Sequence, residues 1–199
     1  MKRLVVGVSG ASGAPLALRL LRRLRQIEGV QTHLVLSRGA ELTVAEECSM
    51  SPAEFRALAD VSYDETDIGA AIASGSFATM GMIVLPCSMK TLAGIAHGYA
   101  DNLLLRAADV TIKEQRKLLL VPRDCPFSKI HLDNMAYLAS LPGVFVMPPV
   151  LAYYNRPRTL EDMEQQIVDR LLNKLDLPCD SFREWNPAPG PRSVVSDGR

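Results

Sequence analysis

The sequence predicts an α/β fold, a mainly parallel sheet covered on both faces by helices. Three observations predict it. Short aliphatic and β-branched runs alternate with amphipathic segments along most of the chain, the pattern of right-handed βαβ units. The strand-like runs are apolar throughout, as a sheet buried on both faces requires. The chain has 199 residues, enough for one domain with a substantial core.

Leu4 to Val8 is the first strand-like run. Pro15 then sits where a first helical turn tolerates it, and Leu16, Leu20, Leu21, Leu24 and Ile27 follow at helical spacing. Glu28-Gly29 ends that helix. Thr32 to Leu36 is a second strand, and Ala40 to Glu47 and Pro52 to Ala59 read as helices. Val61 to Met80 has little period; it reads as a long loop with a helical turn, covering a site or an interface. Met82 to Leu85 is a third strand, stopped by Pro86. Ser88 to Ala96 and Asn102 to Gln115 are helices, and Leu118 to Val121 is a fourth strand, stopped by Pro122. Ser128 to Ser140 is a helix and Val144 to Met147 a fifth strand. Thr159-Leu160-Glu161-Asp162 resembles a capping box with Asp in place of Glu. Leu160, Met163, Ile167, Leu171 and Leu175 complete a last amphipathic helix. Residues 1–185 read as a single domain, and Asn186 to Arg199, rich in Pro, Gly and Ser, as a loose tail.

Composition narrows the function classes. The formal net charge is +0, from 22 basic and 22 acidic residues, so no field draws nucleic acid or an acidic membrane. The same balance gives little protection against self-association. Cys48, Cys87, Cys125 and Cys179 form no CxxC pair, which argues against zinc and for reduced thiols in a cytoplasmic protein. No signal-peptide pattern opens the chain, and no apolar stretch approaches the roughly 18 residues of a membrane helix. No acidic cluster of the DDxxD type suggests magnesium.

Ligands of such sheets bind beyond the carboxyl ends of the strands, so the residues after each strand carry the functional reading. After the first come Ser9-Gly10-Ala11-Ser12-Gly13. Gly10 and Gly13 let backbone approach a ligand, Ser9 and Ser12 add hydroxyls, and the following helix N-terminus offers N–H groups to a phosphate. A tight turn without ligand would use the same residues. After the second strand a dinucleotide site wants an acid for the ribose. Ser37-Arg38-Gly39 stands there instead, which disfavours NAD and leaves room for a mononucleotide such as FMN. After the third strand, Pro86-Cys87-Ser88-Met89-Lys90-Thr91 provides Ser88 as an N-cap, and Cys87 reads as a packed residue. Arg106, Asp109 and Lys113 share a helix face and would also suit a solvated ion-pair ladder. Arg123 follows a strand and a proline. Arg170 beside Asp169, Glu47 beside Glu46, and His131 in a helix would each pass for surface, solvated or capping residues.

Several motifs occur in order: Gly10-Ala11-Ser12-Gly13, Ser37, Pro86-Cys87-Ser88 with Thr91, Arg106-Ala107-Ala108-Asp109-Val110 with Lys113-Glu114, Val121-Pro122-Arg123, Ile130-His131-Leu132 with Asn134-Met135, and Tyr154 with Pro157. From Lys2 to about Trp185 the chain resembles the UbiX-like flavin prenyltransferases, and is especially similar to members named as one of the subunits of hydroxyaryl acid decarboxylases. The resemblance implies a flavodoxin-like, Rossmann-like three-layer α/β/α subunit in a homododecamer. It implies that reduced FMN and dimethylallyl phosphate bind without metal. The dimethylallyl group would join N5 and C6 of the flavin, and the prenylated FMN would serve a UbiD-type decarboxylase.

Carried onto this sequence, the resemblance implies that Gly10, Ala11, Ser12, Ser37, Ser88, Met89, Lys90, Thr91 and Arg123 contact FMN. Lys113, Arg123, Tyr154 and Arg170 would hold the substrate phosphate, with Arg106 nearby, from the same or a neighbouring subunit. Fixed cations stabilise a departing phosphate. The flavin and Trp185 would enclose the dimethylallyl cation left behind. Ser12 and Glu47 would handle protons. Asp124 stands where the family usually has Glu, one methylene shorter. Tyr153 is a second candidate for the role given to Tyr154. Two other readings are a flavin-dependent cysteine decarboxylase of the same fold and a non-catalytic flavin carrier in a decarboxylase complex.

Overall fold

The computed structural model describes residues 1–179. Trp185 and the expected tail at 186–199 lie outside the described residues. Six strands form one parallel sheet: β1 (Lys2–Val8), β2 (Val30–Leu36), β3 (Val61–Tyr63), β4 (Gly81–Cys87), β5 (Lys117–Pro122) and β6 (Val144–Val146), in the order β3-β2-β1-β4-β5-β6. Seven helices are α1 (Ala14–Leu24), α2 (Arg38–Cys48), α3 (Pro52–Arg56), α4 (Met89–Ala96), α5 (Leu103–Lys113), α6 (Lys129–Ser140) and α7 (Leu160–Lys174). This is the flavodoxin-like three-layer architecture.

Alternate side chains of each strand feed opposite layers. Leu4, Val6 and Val8 of β1 and Leu119 and Val121 of β5 pack with α1, α2 and α7. Val5, Leu118 and Leu120 pack with α4 and α5. Each fully buried leucine in these layers stabilises the fold by about 2 kcal/mol. Arg19 of α1 donates to Glu164 of α7 at 2.9 Å and so ties two helices of one layer. The capping box of α7 forms: the Asp162 N–H donates to Thr159 Oγ1, and the Thr159 N–H to Asp162 Oδ2, both at 3.1 Å.

Three expectations need correction. The segment from Val61 is not loop throughout: Val61–Tyr63 pairs with β2 as an edge strand. At three residues it is too short to show a period. The expected helical turn is a 3₁₀ turn at Ala71–Ala73. Pro86 does not stop its strand either, since Cys87 still pairs with Pro122, where β5 ends. The β4–β5 register shifts between Val84 and Cys87, so the proline falls where no ladder donor is needed. The shift also turns Cys87 into the same layer as Met82 and Val84, opposite to what strict alternation gives. Finally, α3 ends at Arg56 rather than Ala59. There the Leu58 and Ala59 N–H groups bond three residues back, to Phe55 and Arg56, tightening the last turn.

Candidate functional site

From β1 the chain winds outward through β2 and β3, then returns past β1 to β4 and winds the other way. The crevice of such a sheet opens where that order reverses, beyond the carboxyl ends of β1 and β4. The two turns there are tied together by Ser9. Its buried hydroxyl donates to the Pro86 carbonyl at 3.0 Å and accepts from the Ser88 N–H at 2.7 Å. Ser9 is therefore a brace between turns, and its one hydroxyl proton is not offered to a ligand.

The N-terminus of α1 is also spoken for. Glu47, on the last turn of α2, reaches across so that its Oε2 accepts from the Gly13 N–H at 2.8 Å and the Ala14 N–H at 2.9 Å. The sequence left these donors to a phosphate and Glu47 to solvent. The carboxylate instead takes the positive end of α1, where a negative charge is stabilised. Gly13, at φ 122°, holds a left-handed conformation that suits glycine. Ser12 is half-buried beside this contact, so the two residues given proton roles are neighbours in space.

A cleft of about 520 Å³ lies next to this junction, lined by Gly10, Ser37, Ser88, Lys90 and Thr91 together with Arg38, Gly39, Leu42, Glu65, Asn102 and Leu105. Its floor needs glycine: a Cβ on Gly10 would stand 2.9 Å from the Gly39 Cα. Ser37 caps α2, accepting from the Ala40 N–H at 3.2 Å. Ser88 caps α4, accepting from the Thr91 N–H at 3.3 Å and donating to Thr91 Oγ1 at 3.1 Å. The first-turn N–H groups of Met89 and Lys90 stay available for a ligand, since a helix start leaves them without an intrahelical partner. Hydroxyls, a lysine and an open helix N-terminus suit a phosphate, and Leu42 and Leu105 suit an apolar ring system. This lining fits a flavin mononucleotide.

Five of the expected flavin contacts thus line one cleft, and Met89 stands at its edge between Ser88 and Lys90. Ala11 and Ser12 lie on the turn after Gly10. Arg123 follows β5, its N–H donating to the Cys87 carbonyl at 3.2 Å beside the Ser88 cap, with an exposed side chain. The Asp124 carboxylate is exposed and accepts from the N–H of Cys125 at 2.8 Å. Arg38, Gly39, Glu65, Asn102 and Leu105 were not singled out as contacts. Gly39 could have been found from its place after the second strand, and Asn102 as the N-cap of α5, accepting from the Leu105 N–H at 2.9 Å.

Tyr154 and Arg170 meet in a second cavity of about 380 Å³, with Asn155, Gln166 and Asp169 in its wall. Tyr153 is not among the lining residues. Arg106 and Lys113 line neither cavity among the described residues. Arg106 donates to Asp109 at 2.6 Å and to the Ala73 carbonyl at 3.2 Å. Lys113 donates to Glu114 at 2.6 Å, so the expected Asp109–Lys113 rung of the ladder is replaced by a neighbouring pair. His131 completes a capping box with Ser128, and burial pushes the Cys87 thiol far up, away from nucleophilic use. Among the described residues no His, Cys, Asp and Glu group of three or more could hold a metal, and no helix is long and apolar enough to cross a membrane.

Fold and cleft together define a nucleotide-binding α/β protein of the flavodoxin-like class. The pattern of the Flavoprotein family matches residues 1–175. A probable UbiX-like flavin prenyltransferase of Streptomyces sp. (strain D7) is 55% identical over 183 residues, covering 92% of this chain and 91% of the relative. A dodecameric FMN-dependent UbiX-like decarboxylase from Escherichia coli O157:H7 superposes with a TM-score of 0.90 at 50% identity, covering 93% of this chain and 100% of that one. AnUbiX (PadA1), solved with FMN and dimethylallyl pyrophosphate, also gives a TM-score of 0.90, at 45% identity, covering 94% and 98%. This chain belongs to the UbiX-like flavin prenyltransferase family.

Proposed function

We propose that this protein joins a dimethylallyl group from dimethylallyl phosphate to N5 and C6 of reduced FMN, making prenylated FMN for a UbiD-type decarboxylase. The observation that carries the reading is the cleft beyond β1 and β4, where Gly10, Ser37, Ser88, Lys90 and Thr91 come together. The bound flavin supplies the nucleophilic ring atoms. Ser88, Thr91, Lys90 and the Met89 N–H hold its phosphate, with Ala11, Ser12 and Arg123 closing the flavin contacts. Ser12 and Glu47 move protons around the ring. Asp124, next to Arg123 in the chain, serves the same end.

Tyr154 and Arg170 hold the donor phosphate, and the cationic charge offsets the charge that develops on the leaving group without metal. Lys113 and Arg106 join this clamp from a neighbouring copy. That arrangement accords with a dodecamer and with the absence of both residues from the lining of the Tyr154–Arg170 cavity. Residues 1–185 form the single working domain, with Trp185 against the allylic group and 186–199 as a tail. The protein works in the cytoplasm, in keeping with free thiols at Cys48, Cys87 and Cys125.

The test is anaerobic incubation with reduced FMN and dimethylallyl phosphate, followed by mass spectrometry of the extracted flavin. The expected product is heavier than FMN by one five-carbon unit. Unmodified, tightly bound FMN would overturn the transferase reading in favour of a flavin carrier.

A further inference from the structure

Of the residues lining the flavin cleft, one opposes the ligand's charge. Glu65, just after β3, is half-buried, and its Oε1 accepts from the Arg38 N–H at 2.8 Å, at the start of α2. Its carbonyl accepts from the Leu103 N–H at 2.7 Å, at the start of α5. The backbone thus pins the residue between two helices that form cleft walls, while the side chain sets a negative charge in the wall facing Ser88, Lys90 and Thr91. A helix N-terminus attracts anions. With Glu47 on α1 and Glu65 on α2, two of the four helix starts around the crevice already hold a carboxylate. The start of α4, capped by the neutral Ser88, leaves first-turn donors open beside Lys90. The charged side chains lining the cleft are Arg38, Lys90 and Glu65.

We infer that Glu65 is an affinity-setting residue: its carboxylate weakens the hold on the flavin's phosphate, so that a flavin which is substrate and product, not a resident cofactor, can leave. The inference rests on the flavin reading of this cleft. A carboxylate within the cleft repels a phosphate held against α4, since both would share one cavity. The penalty falls on the phosphate alone and spares the ring system. A residue that merely braced the loop would act on every flavin equally.

The experiment titrates apo protein with FMN and with riboflavin, following flavin fluorescence, in wild type, Glu65→Gln and Glu65→Ala. Gln keeps an oxygen for the Arg38 N–H and removes the charge. Glu65→Gln is expected to tighten FMN about five-fold and slow its dissociation to match, with riboflavin affinity unchanged. Glu65→Ala should shift the FMN-to-riboflavin preference the same way even if both bind less well. A preference unchanged in both variants, or riboflavin tightening as much as FMN, would overturn the inference. Wild-type protein that binds neither flavin would instead overturn the reading of the cleft itself.

Discussion

The flavin cleft and the proposed donor-phosphate clamp differ in how much of each a single chain assembles. The cleft is built within one protomer: Ser9 braces its two turns, Glu47 fixes the start of α1, and the β2–α2 and β4–α4 connections supply its hydroxyls. The clamp residues are divided. Tyr154 and Arg170 share one cavity, whereas Arg106 and Lys113 lie along α5, paired to Asp109 and Glu114. A ligand seat at strand ends follows from chain topology. A seat made of residues from two faces of the subunit needs a second subunit to close it.

The largest effects should come from the divided region. Lys113→Ala and Arg170→Ala are each expected to cut prenylation on the order of 10²-fold, about 3 kcal/mol of leaving-group stabilisation, with FMN affinity unchanged. Mixing the two variants under conditions that exchange subunits should restore part of the activity, because some interfaces then pair an intact Lys113 with an intact Arg170. Mass spectrometry of the flavin product reads both results. Full activity in Lys113→Ala, or no recovery on mixing, would break the contrast between the two regions.

Substitution in the cleft should act on the flavin instead. Gly10→Ala places a Cβ against the Gly39 Cα, where backbone has to shift on both sides. It is expected to weaken FMN binding about ten-fold or more and to cost about 1–3 kcal/mol of stability, as overpacking does. Fluorescence titration and thermal melts separate the two. Ser9→Ala should be milder. It strands the Ser88 N–H, at a cost of about 1–2 kcal/mol. That lowers the melting temperature by about 2–4 °C per kcal/mol for a chain of this size. FMN affinity should fall less than in Gly10→Ala.

The same contrast governs what could be read from the sequence. Strands buried on both faces and helices with an apolar stripe announce themselves locally, and so did the Ser/Gly turns that follow β1, β2 and β4. Contacts made by long reach do not. Nothing in Ala45-Glu46-Glu47-Cys48 says which carboxylate turns toward Gly13, since that depends on how α2 crosses α1. Ser9 looked like a ligand hydroxyl because the partner turn that claims it lies 77 residues away. Glu65 sits in a stretch without period, and its role appears only once β3 is seen to pair with β2. Arg170 is exposed, as its sequence context suggests, and only the course of α7 shows that it lines one cavity with Tyr154.

The smallest expected effect lies at the edge of the sheet and tests whether the cleft wall depends on β3. His33 of β2 is buried. With its Nε2 donating to Gln31 Oε1 at 3.2 Å, its Nδ1 accepts from the Tyr63 hydroxyl of β3 at 2.8 Å. Burial, and then the nearby Arg3 charge, lower its pKa below the usual 6.5, with Asp60 partly opposing. A base with a depressed folded pKa is neutral in the fold, and the unfolded chain binds its proton first. Its contribution is therefore fully present above about pH 6.5 and is lost as pH falls from there toward the folded value. Asp60 itself, lowered by the Thr32 N–H, titrates below 3.8 and stays out of this window. Thermal melts at pH 7.5 and 5.5 should show a loss on the order of 1 kcal/mol in wild type that His33→Gln lacks. If the wall carrying Glu65 hangs on this strand, FMN affinity should weaken over the same pH interval in wild type and stay level in the variant. Equal weakening in both proteins would place the pH dependence elsewhere and detach the cleft from the sheet edge.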